Sequence, residues 1–259
     1  MGHRPLLAFI LGLVLAAGLP LEAQAKRILA VAAAGDLRGT LEEVKHSFED
    51  LHPGTRLDLS FGASGSLTAQ IQQGAPFDVF LSADTAFPEQ LQKAGLVTPE
   101  GPFPYAKGHL TLWVRRDLQV DLVKVGLKVL LDPRLKHIAL ANPKTAPYGR
   151  AAEAALNRVG LYEATQPRLV FGDNVAQAAQ FLQTGAAEAG LVSQSQALHP
   201  ALGSTGLSWR VPEEVVPALR QHGVILARTR DQALARSFRD FLIGIGGQTI
   251  LARHGFGKP

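Results

Sequence analysis

An apolar segment near the start of the chain changes directly from a strand pattern to a helix pattern. Residues 28–34 are rich in strand formers and end in small residues just before Gly35. Apolar residues then recur on one helical face, at Leu37, Leu41, Val44, Phe48 and Leu51. The first turn of a helix has unpaired N–H groups and a partial positive charge. This junction therefore predicts an α/β fold and a place where an oxyanion can dock.

The alternation of strand and helix patterns continues along the chain and predicts α/β domains with mainly parallel sheets flanked by helices. The predicted strands are Arg27–Ala32, Arg56–Phe61, Phe77–Ser82, Thr111–Val114, His137–Ala141, Arg168–Phe171, Ala189–Val192 and Val224–Ala227. The predicted helices are Leu37–Leu51, Ser66–Gln73, Thr85–Ala94, Val123–Leu131, Tyr148–Val159, Val175–Thr184, Ser195–Leu198 and Asp231–Ile243.

The length after residue 25 suits two domains of about 100 residues each. Proline and glycine cluster ahead of the strands that begin near Leu110 and Val224, and such clusters are typical of connections between domains. We therefore expect one lobe to comprise 26–108 plus 223–259 and the other to comprise 109–222.

Residues 1–25 have the pattern of a secretory signal peptide. His3 and Arg4 precede an apolar run over 6–19, and Ala23-Gln24-Ala25 forms a small-x-small cleavage site. The apolar run is shorter than the ~20 residues that span a membrane. We therefore expect cleavage near Ala25 and, in a bacterium, a periplasmic protein. The chain has no Cys, which excludes disulfides, thiolate metal sites, a cysteine nucleophile and a lipid-modified cysteine.

The net charge of +4 is spread over the chain, and its longest basic run is Arg115-Arg116. This distribution argues against nucleic acid as a partner and is compatible with long-range attraction of a small anion. The His residues show no i, i+4 pairing, so a metal cage is not expected. The sequence also contains no P-loop, dinucleotide fingerprint or zinc motif.

A second junction, at residues 57–71, is rich in hydrogen-bond donors. Gly62 and Gly65 open the backbone, and the hydroxyls of Ser64 and Ser66 lie where a helix begins. One serine can cap this helix while the other reaches a ligand, or both can serve only as caps. A nucleophile elbow would need Gly-x-Ser-x-Gly, and Ser66 stands where its last glycine belongs.

Two further junctions follow the same plan. Pro147 fixes the backbone just before a helix, so the N–H groups of Tyr148, Gly149 and Arg150 can point out of its first turn. After the strand near residue 170, Asp173 or Asn174 can cap a helix and leave the N–H of Val175 or Ala176 free. Four such turns in one chain favour an anion site, although α/β topology itself supplies many turns of this kind.

At this point the chain resembles a known family, the periplasmic molybdate-binding proteins of molybdate ABC transporters. The matching segments are Ala32–Leu37, Phe61–Gly65, Gln73–Asp84, Asn142–Gly149 and Asn174–Gln177, of which 74–84 is the most specific. The resemblance implies a two-lobed type II periplasmic binding fold with a ligand cleft between the lobes. It also implies that molybdate or tungstate is held by uncharged donors, and that an inner-membrane ABC permease is the partner.

The resemblance also implies site residues: Gly35, Asp36, Ser64, Tyr148 and Val175. Asp36 departs from the serine usual in the family, and we expect its carboxylate to cap its helix while its backbone N–H faces the anion. Ser64 matches through its hydroxyl and N–H, and Tyr148 and Val175 match through backbone N–H groups. Ser193 stands where some members have a tyrosine, so its shorter side chain is a possible further contact.

Three functions remain open on the sequence. The leading prediction is a monomeric solute-binding protein for molybdate or tungstate, without a cofactor or a bare-cation site and without enzyme activity. A protein of the same fold for sulfate, phosphate or a small carboxylate would be expected to carry a cationic side chain or a wider donor array. An exported serine hydrolase using Ser64 lacks both a correct elbow and an obvious partner His and Asp.

Overall fold

The computed structural model describes residues 26–259, and the predicted signal peptide lies outside them. Ten strands form two five-stranded sheets in this part of the chain. The strands are β1 (Arg27–Ala34), β2 (Thr55–Gly62), β3 (Val79–Ser82), β4 (Phe103–Gly108), β5 (Leu110–Arg115), β6 (Ile138–Ala141), β7 (Leu169–Gly172), β8 (Ala189–Ser193), β9 (Gly206–Arg210) and β10 (Leu219–Ile225). The predicted α/β class with two lobes is confirmed.

Helices flank both sheets. They are α1 (Arg38–Leu51), α2 (Ser64–Gln72), α3 (Ala86–Lys93), α4 (Leu122–Val125), α5 (Pro147–Arg158), α6 (Tyr162–Thr165), α7 (Val175–Gln183), α8 (Gln194–Leu198), α9 (Pro200–Gly203), α10 (Gln232–Ile243) and α11 (Ile245–Arg253). Short 3-10 turns occupy Gly35–Leu37, Arg116–Leu118, Gly126–Leu131, Gln166–Arg168 and Glu213–Val215. Across residues 26–259, no helix combines the length and apolar character needed to cross a membrane.

The first sheet has the order β2-β1-β3-β10-β4. β1 is parallel to both of its neighbours, whereas β10 is antiparallel to both β3 and β4. Four strands therefore run one way, and β10 alone runs the other way. The carboxyl ends of β1, β2 and β3 lie at one edge of the sheet, and Ala34 pairs with Gly62 at this edge. The turns that follow these strands are consequently neighbours.

The second sheet repeats this plan in the order β7-β6-β8-β5-β9. β6 is parallel to β7 and β8, and β5 is antiparallel to β8 and β9. Ala141 pairs with Gly172 at the carboxyl ends of β6 and β7. The turns before α5 and α7 therefore also meet at one edge. In each sheet four strands run in one direction, in line with the predicted mainly parallel sheets. The single reversed strand nevertheless makes half of the strand pairings antiparallel.

The first lobe has an apolar core on each face of its sheet. On one face, Leu41, Val44 and Phe48 of α1 pack with α10 and α11, as the helical periodicity predicts. Leu51, the last residue of the predicted apolar face, is instead 67% exposed, because it is the final residue of α1 and extends past the core. The other face packs against α2 and α3 through Leu67 and Leu91.

The second lobe has its own core, and three small residues of the first lobe pack against it. Ala34, Ala63 and Ala83, which follow or end β1, β2 and β3, belong to the same buried apolar cluster as the second-lobe core. Each of the three is at most 5% exposed. Because alanine has a short side chain, the backbones of the two lobes approach closely at this point.

The two connections between the sheets run side by side. One joins Gly108 of β4 to Leu110 of β5, and the other joins Arg210 of β9 to Leu219 of β10. Gly108 and Leu219 are register partners. β10 begins before residue 223, so the predicted second boundary falls inside a strand of the first sheet. The division into 26–108 plus 223–259 and 109–222 otherwise stays a prediction.

Candidate functional site

The four donor-rich turns meet at one cavity between the lobes. This small cavity is lined by Ala34, Gly35, Asp36, Gly62, Ala63, Ser64, Ala83, Ala146, Pro147, Tyr148, Asn174 and Val175. Its walls follow the carboxyl ends of β1, β2 and β3 in the first lobe and of β6 and β7 in the second. Ligands of open α/β sheets bind at such strand ends. The structure thus brings together Gly35, Asp36, Ser64, Tyr148 and Val175.

Ser64 is positioned to donate its hydroxyl proton into the cavity. The residue is fully buried and is the first residue of α2. Its Oγ accepts a hydrogen bond from the N–H of Ala83 at 3.1 Å. Among the described residues the hydroxyl has no acceptor of its own, so its proton is available to a bound anion. Ser64 is not the N-cap of α2, because Ala63 occupies that position.

Tyr148 and Val175 bring unpaired backbone N–H groups from the second lobe. Pro147 and Tyr148 open α5, and Val175 is the first residue of α7. The Asn174 side chain caps α7 by accepting from the N–H groups of Ala176 and Gln177. This cap leaves the N–H of Val175 without an intrahelical partner. The predicted choice between Asp173 and Asn174 as the cap is therefore decided for Asn174.

Gly35 allows the two lobes to meet at the cavity. A Cβ atom at this position would lie 2.8 Å from Oδ1 of Asn174, the atom that caps α7. The carbonyl oxygen of Gly35 also accepts from Nε2 of Gln196 at 3.1 Å, and that of Asp36 accepts from Oγ of Ser195 at 2.7 Å. A larger residue at Gly35 would push these second-lobe partners away.

Asp36 does not cap a helix, and this expectation was wrong. Ala34 and Leu37 occupy the N-cap positions of the turn and of α1, whereas one oxygen of the Asp36 carboxylate contacts Gln221 of β10. Its Oδ2 accepts from Nε2 of Gln221 at 2.5 Å. Its Oδ1 has no hydrogen-bond partner of good geometry in the described part of the chain. Burial raises the pKa of Asp36 to about 6, although the hydrogen bond from Gln221 and the nearby Tyr148 hydroxyl act to lower it.

The Tyr148 ring fills the space behind Asp36 and is 2% exposed. Its hydroxyl lies 3.4 Å from Nε2 of Gln221 and against Gly108, where any Cβ atom would clash with it. Burial, and next the nearby Asp36 carboxyl, raise the pKa of Tyr148 well above its usual value. The phenol therefore stays protonated and belongs to the wall of the site. The backbone N–H of the same residue lies in the first turn of α5.

Ser193 is not brought together with the other predicted residues. It is fully buried, but it does not line the cavity. Its hydroxyl caps α8 by accepting from the N–H of Gln196 and lies 2.9 Å from Oγ of Ser195. Ser195, in turn, reaches the carbonyl of Asp36. A contact between Ser193 and a ligand stays a prediction without support from this arrangement.

Gln221 is a wall residue that the sequence reasoning missed. It is fully buried in β10 and touches both Asp36 and Tyr148. The sequence signal is the period-two alternation of a strand, in which Gln221 shares the inward face with Leu219 and Gly223. Pro212 and Pro217 resemble a linker, so the sequence pattern predicts a strand only from Val224 and leaves Gln221 outside it.

The cavity wall carries neutral donors and no cationic side chain. Among the described residues, no Lys, Arg or His lines it. An ion pair joins Arg150 of the second lobe to Asp84 of the first at 2.5 Å, and neither residue belongs to the lining. Ser64 has Ala83 rather than a His as its hydroxyl partner, so the geometry of a serine hydrolase is not formed. No group of three potential metal-ligating side chains occurs within residues 26–259.

Comparisons with known proteins agree with this architecture. Residues 29–257 match the family described as bacterial extracellular solute-binding protein. The molybdate-binding protein of Azotobacter vinelandii is 39% identical over 227 residues, 88% of each chain. That of Rhodobacter capsulatus is 36% identical over 244 residues, covering 94% of this chain and 93% of the relative.

A solved structure of the periplasmic molybdate-binding protein of Azotobacter vinelandii superimposes with a TM-score of 0.82 at 34% identity, covering 89% of this chain and 99% of that one. The match spans both sheets and therefore both walls of the cavity. The resemblance drawn from the sequence is confirmed: the chain belongs to the bacterial extracellular solute-binding proteins and, within them, to the family of the molybdate-binding proteins.

Proposed function

We propose that this protein binds molybdate, and tungstate equally well, in the cavity between its lobes and delivers the anion to an ABC permease. The observation that carries the proposal is a ring of neutral donors, built from the first turns of several helices, at the junction of the lobes. The relatives named above are described as molybdate-binding proteins. The cavity is small and closely walled by both lobes, which suits a small inorganic anion rather than an organic solute.

In this proposal the donors come from both lobes. Ser64 contributes its hydroxyl and its N–H, and Tyr148 and Val175 contribute backbone N–H groups. The backbone N–H groups of Gly35 and Asp36 complete the first-lobe side. A fully ionised oxyanion has only acceptors, so it pairs with every donor of such a ring. No protein cation is needed, because helix N-termini stabilise negative charge.

Size supplies the second part of the specificity. Molybdate and tungstate are nearly equal in size and larger than sulfate. A ring of donors set for the larger anions leaves some donors unpaired around sulfate, and an unpaired buried donor weakens binding. The same ring cannot readily separate molybdate from tungstate.

Thermal unfolding with a panel of anions tests the proposal. A ligand that binds only the folded protein stabilises it by about 2.7 kcal/mol at a hundredfold excess over Kd. We expect molybdate and tungstate to raise the melting temperature equally, with little effect of sulfate or phosphate at the same concentration. A rise with sulfate or phosphate and none with molybdate would assign the site to another anion.

We also propose that the chain is exported, loses residues 1–25 and acts as a periplasmic monomer. The sequence pattern of these residues supports this, as does the similarity to the periplasmic molybdate-binding protein of Azotobacter vinelandii. Mass spectrometry of the secreted protein should give a chain that begins at Lys26, and size-exclusion chromatography should give the mass of one chain. A retained N-terminus would contradict cleavage.

A further inference from the structure

Asp36 is a buried carboxyl group with one oxygen satisfied and one oxygen without a partner. The residue is 1% exposed and lines the cavity. Gln221 donates to Oδ2, whereas Oδ1 has no hydrogen-bond partner of good geometry among the described residues. An unpaired charged oxygen in a buried wall is unfavourable, and a negative charge beside a bound dianion would be more so.

Within residues 26–259, no basic side chain lines the cavity beside this carboxyl or appears among the groups that shift its pKa. The titratable groups that act on it are Tyr148 from α5 and Tyr105 from β4. Burial raises the pKa of both phenols, so both stay neutral. From β10 it is faced by the uncharged Gln221, and from α2 by Ser64. From α7 it is faced by Asn174 and Val175 across the cavity. No neighbouring cation therefore offsets the charge of an ionised Asp36.

We propose that Asp36 binds the anion as a neutral carboxylic acid that donates a hydrogen bond from Oδ1, so that binding near neutral pH takes up one proton. The step is balanced: the ionised protein, one proton from solution and the oxyanion give a complex with a protonated Asp36. Oδ2 keeps its bond from Gln221, and the new O–H supplies a donor where an ionised carboxylate would repel. This inference rests on the proposed function.

The raised pKa of Asp36, about 6, agrees with this geometry, because burial already favours the neutral form without an anion. Above that pH the Asp36 carboxyl of the anion-free protein is ionised, and it must gain a proton when the anion binds. Below it the proton is already present. The affinity should therefore fall about tenfold for each pH unit above 6 and level off below 6.

Titration calorimetry in two buffers of different ionisation enthalpy measures the proton uptake directly. With molybdate at pH 8 in Tris and in HEPES, the difference in observed enthalpy should correspond to nearly one proton per anion bound. At pH 5 the uptake should fall towards zero. Binding at pH 8 with no proton uptake would overturn the inference and leave the proposed function intact.

Two variants locate the proton. Asp36→Asn keeps the acceptor for Gln221 and places an N–H donor near the position of Oδ1, so it should bind without proton uptake and with an affinity independent of pH. Asp173→Asn, at an exposed carboxyl beside the same site, should behave like the wild type. One-proton uptake that persists in Asp36→Asn would overturn the assignment. Absence of molybdate binding to the wild type at pH 5 and pH 8 would overturn both proposals.

Discussion

The two lobes contribute to the cavity in different chemical ways. The first lobe contributes side-chain groups, the Ser64 hydroxyl and the Asp36 carboxyl, besides backbone. The second lobe contributes the backbone N–H groups of Tyr148 and Val175, while the Tyr148 side chain contacts Gln221 instead. Side-chain donors change with one substitution or with pH. Backbone donors depend only on where a helix begins, so the second-lobe half should tolerate side-chain changes that the first-lobe half does not.

The largest effect is expected when a backbone donor of the second lobe is removed. Proline is accepted at the first position of a helix, which Val175 occupies, and Asn174 before it is already extended, with φ −147° and ψ 175°. Val175→Pro should therefore keep α7 but lose the N–H. Molybdate affinity should fall by at least about 3 kcal/mol, since a hydrogen bond to a charged group contributes about 1.5–3 kcal/mol and the ring also occupies space.

Val175→Ala is the matched control, because it changes the side chain and keeps the N–H. Calorimetric titration of both variants should show near wild-type affinity for alanine and a large loss for proline. Equal losses in the two variants would mean that the side chain, not the backbone, makes the contact.

The Asp36 carboxyl should control how stability depends on pH without any anion. Burial raises its pKa from 3.8 to about 6, so the folded protein binds this proton more tightly than the unfolded chain does. The stabilisation is present below pH 4 and is lost as the pH rises through 6. Between pH 4 and pH 8, the stability of Asp36→Asn relative to wild type should rise by up to about 3 kcal/mol.

Urea unfolding of the anion-free proteins measures this difference. Asp173→Asn, which changes an exposed carboxyl, should show no comparable pH dependence relative to wild type. A constant difference between Asp36→Asn and wild type from pH 4 to pH 8 would contradict a raised pKa at this position.

The Ser64 hydroxyl is the side-chain donor whose loss should be simplest to interpret. Ser64→Ala removes the proton aimed at the cavity and leaves the N–H of Ala83 without its acceptor. We expect a loss of affinity of about 1.5–3 kcal/mol. Ser66→Ala, two residues further along α2 and outside the cavity lining, should bind like wild type. Equal affinities for wild type and Ser64→Ala would show that only the backbone of Ser64 binds.

The smallest effect is expected for Tyr148→Phe. The substitution keeps the backbone N–H in the first turn of α5 and removes a hydroxyl whose contact with Gln221 is long, at 3.4 Å. Affinity measured by calorimetry should change by less than about 1 kcal/mol. A loss as large as that of Ser64→Ala would show that the phenol itself reaches the anion, and the contrast between the lobes would fail.

The two strands that the sequence pattern does not predict, β4 and β9, share one physical property. β4 and β9 are edge strands, and edge strands tolerate residues that central strands exclude. Pro104 lies within β4, and β9 alternates between half-buried and exposed positions. Central strands such as β3 and β6 are buried on both faces and are continuous apolar runs, so they were predicted within two residues.

The site was predictable where local chain geometry decides it. Ser64, Tyr148 and Val175 lie at helix starts, and glycine, proline and cap residues mark these starts in the sequence. The orientation of Asp36 was not predictable, because its partner Gln221 is distant in the sequence and reaches the site only when β10 pairs with β3. Tertiary pairing, rather than local capping, directs this carboxyl.

Titration calorimetry of the purified protein with molybdate, at fixed pH and salt, tests the central claim most directly. The account predicts saturable binding of one anion per chain, equal affinity for tungstate and much weaker binding of sulfate and phosphate. Saturation by sulfate or phosphate with no heat from molybdate would contradict it, because a ring of neutral donors set for the larger anion would then not describe this cavity.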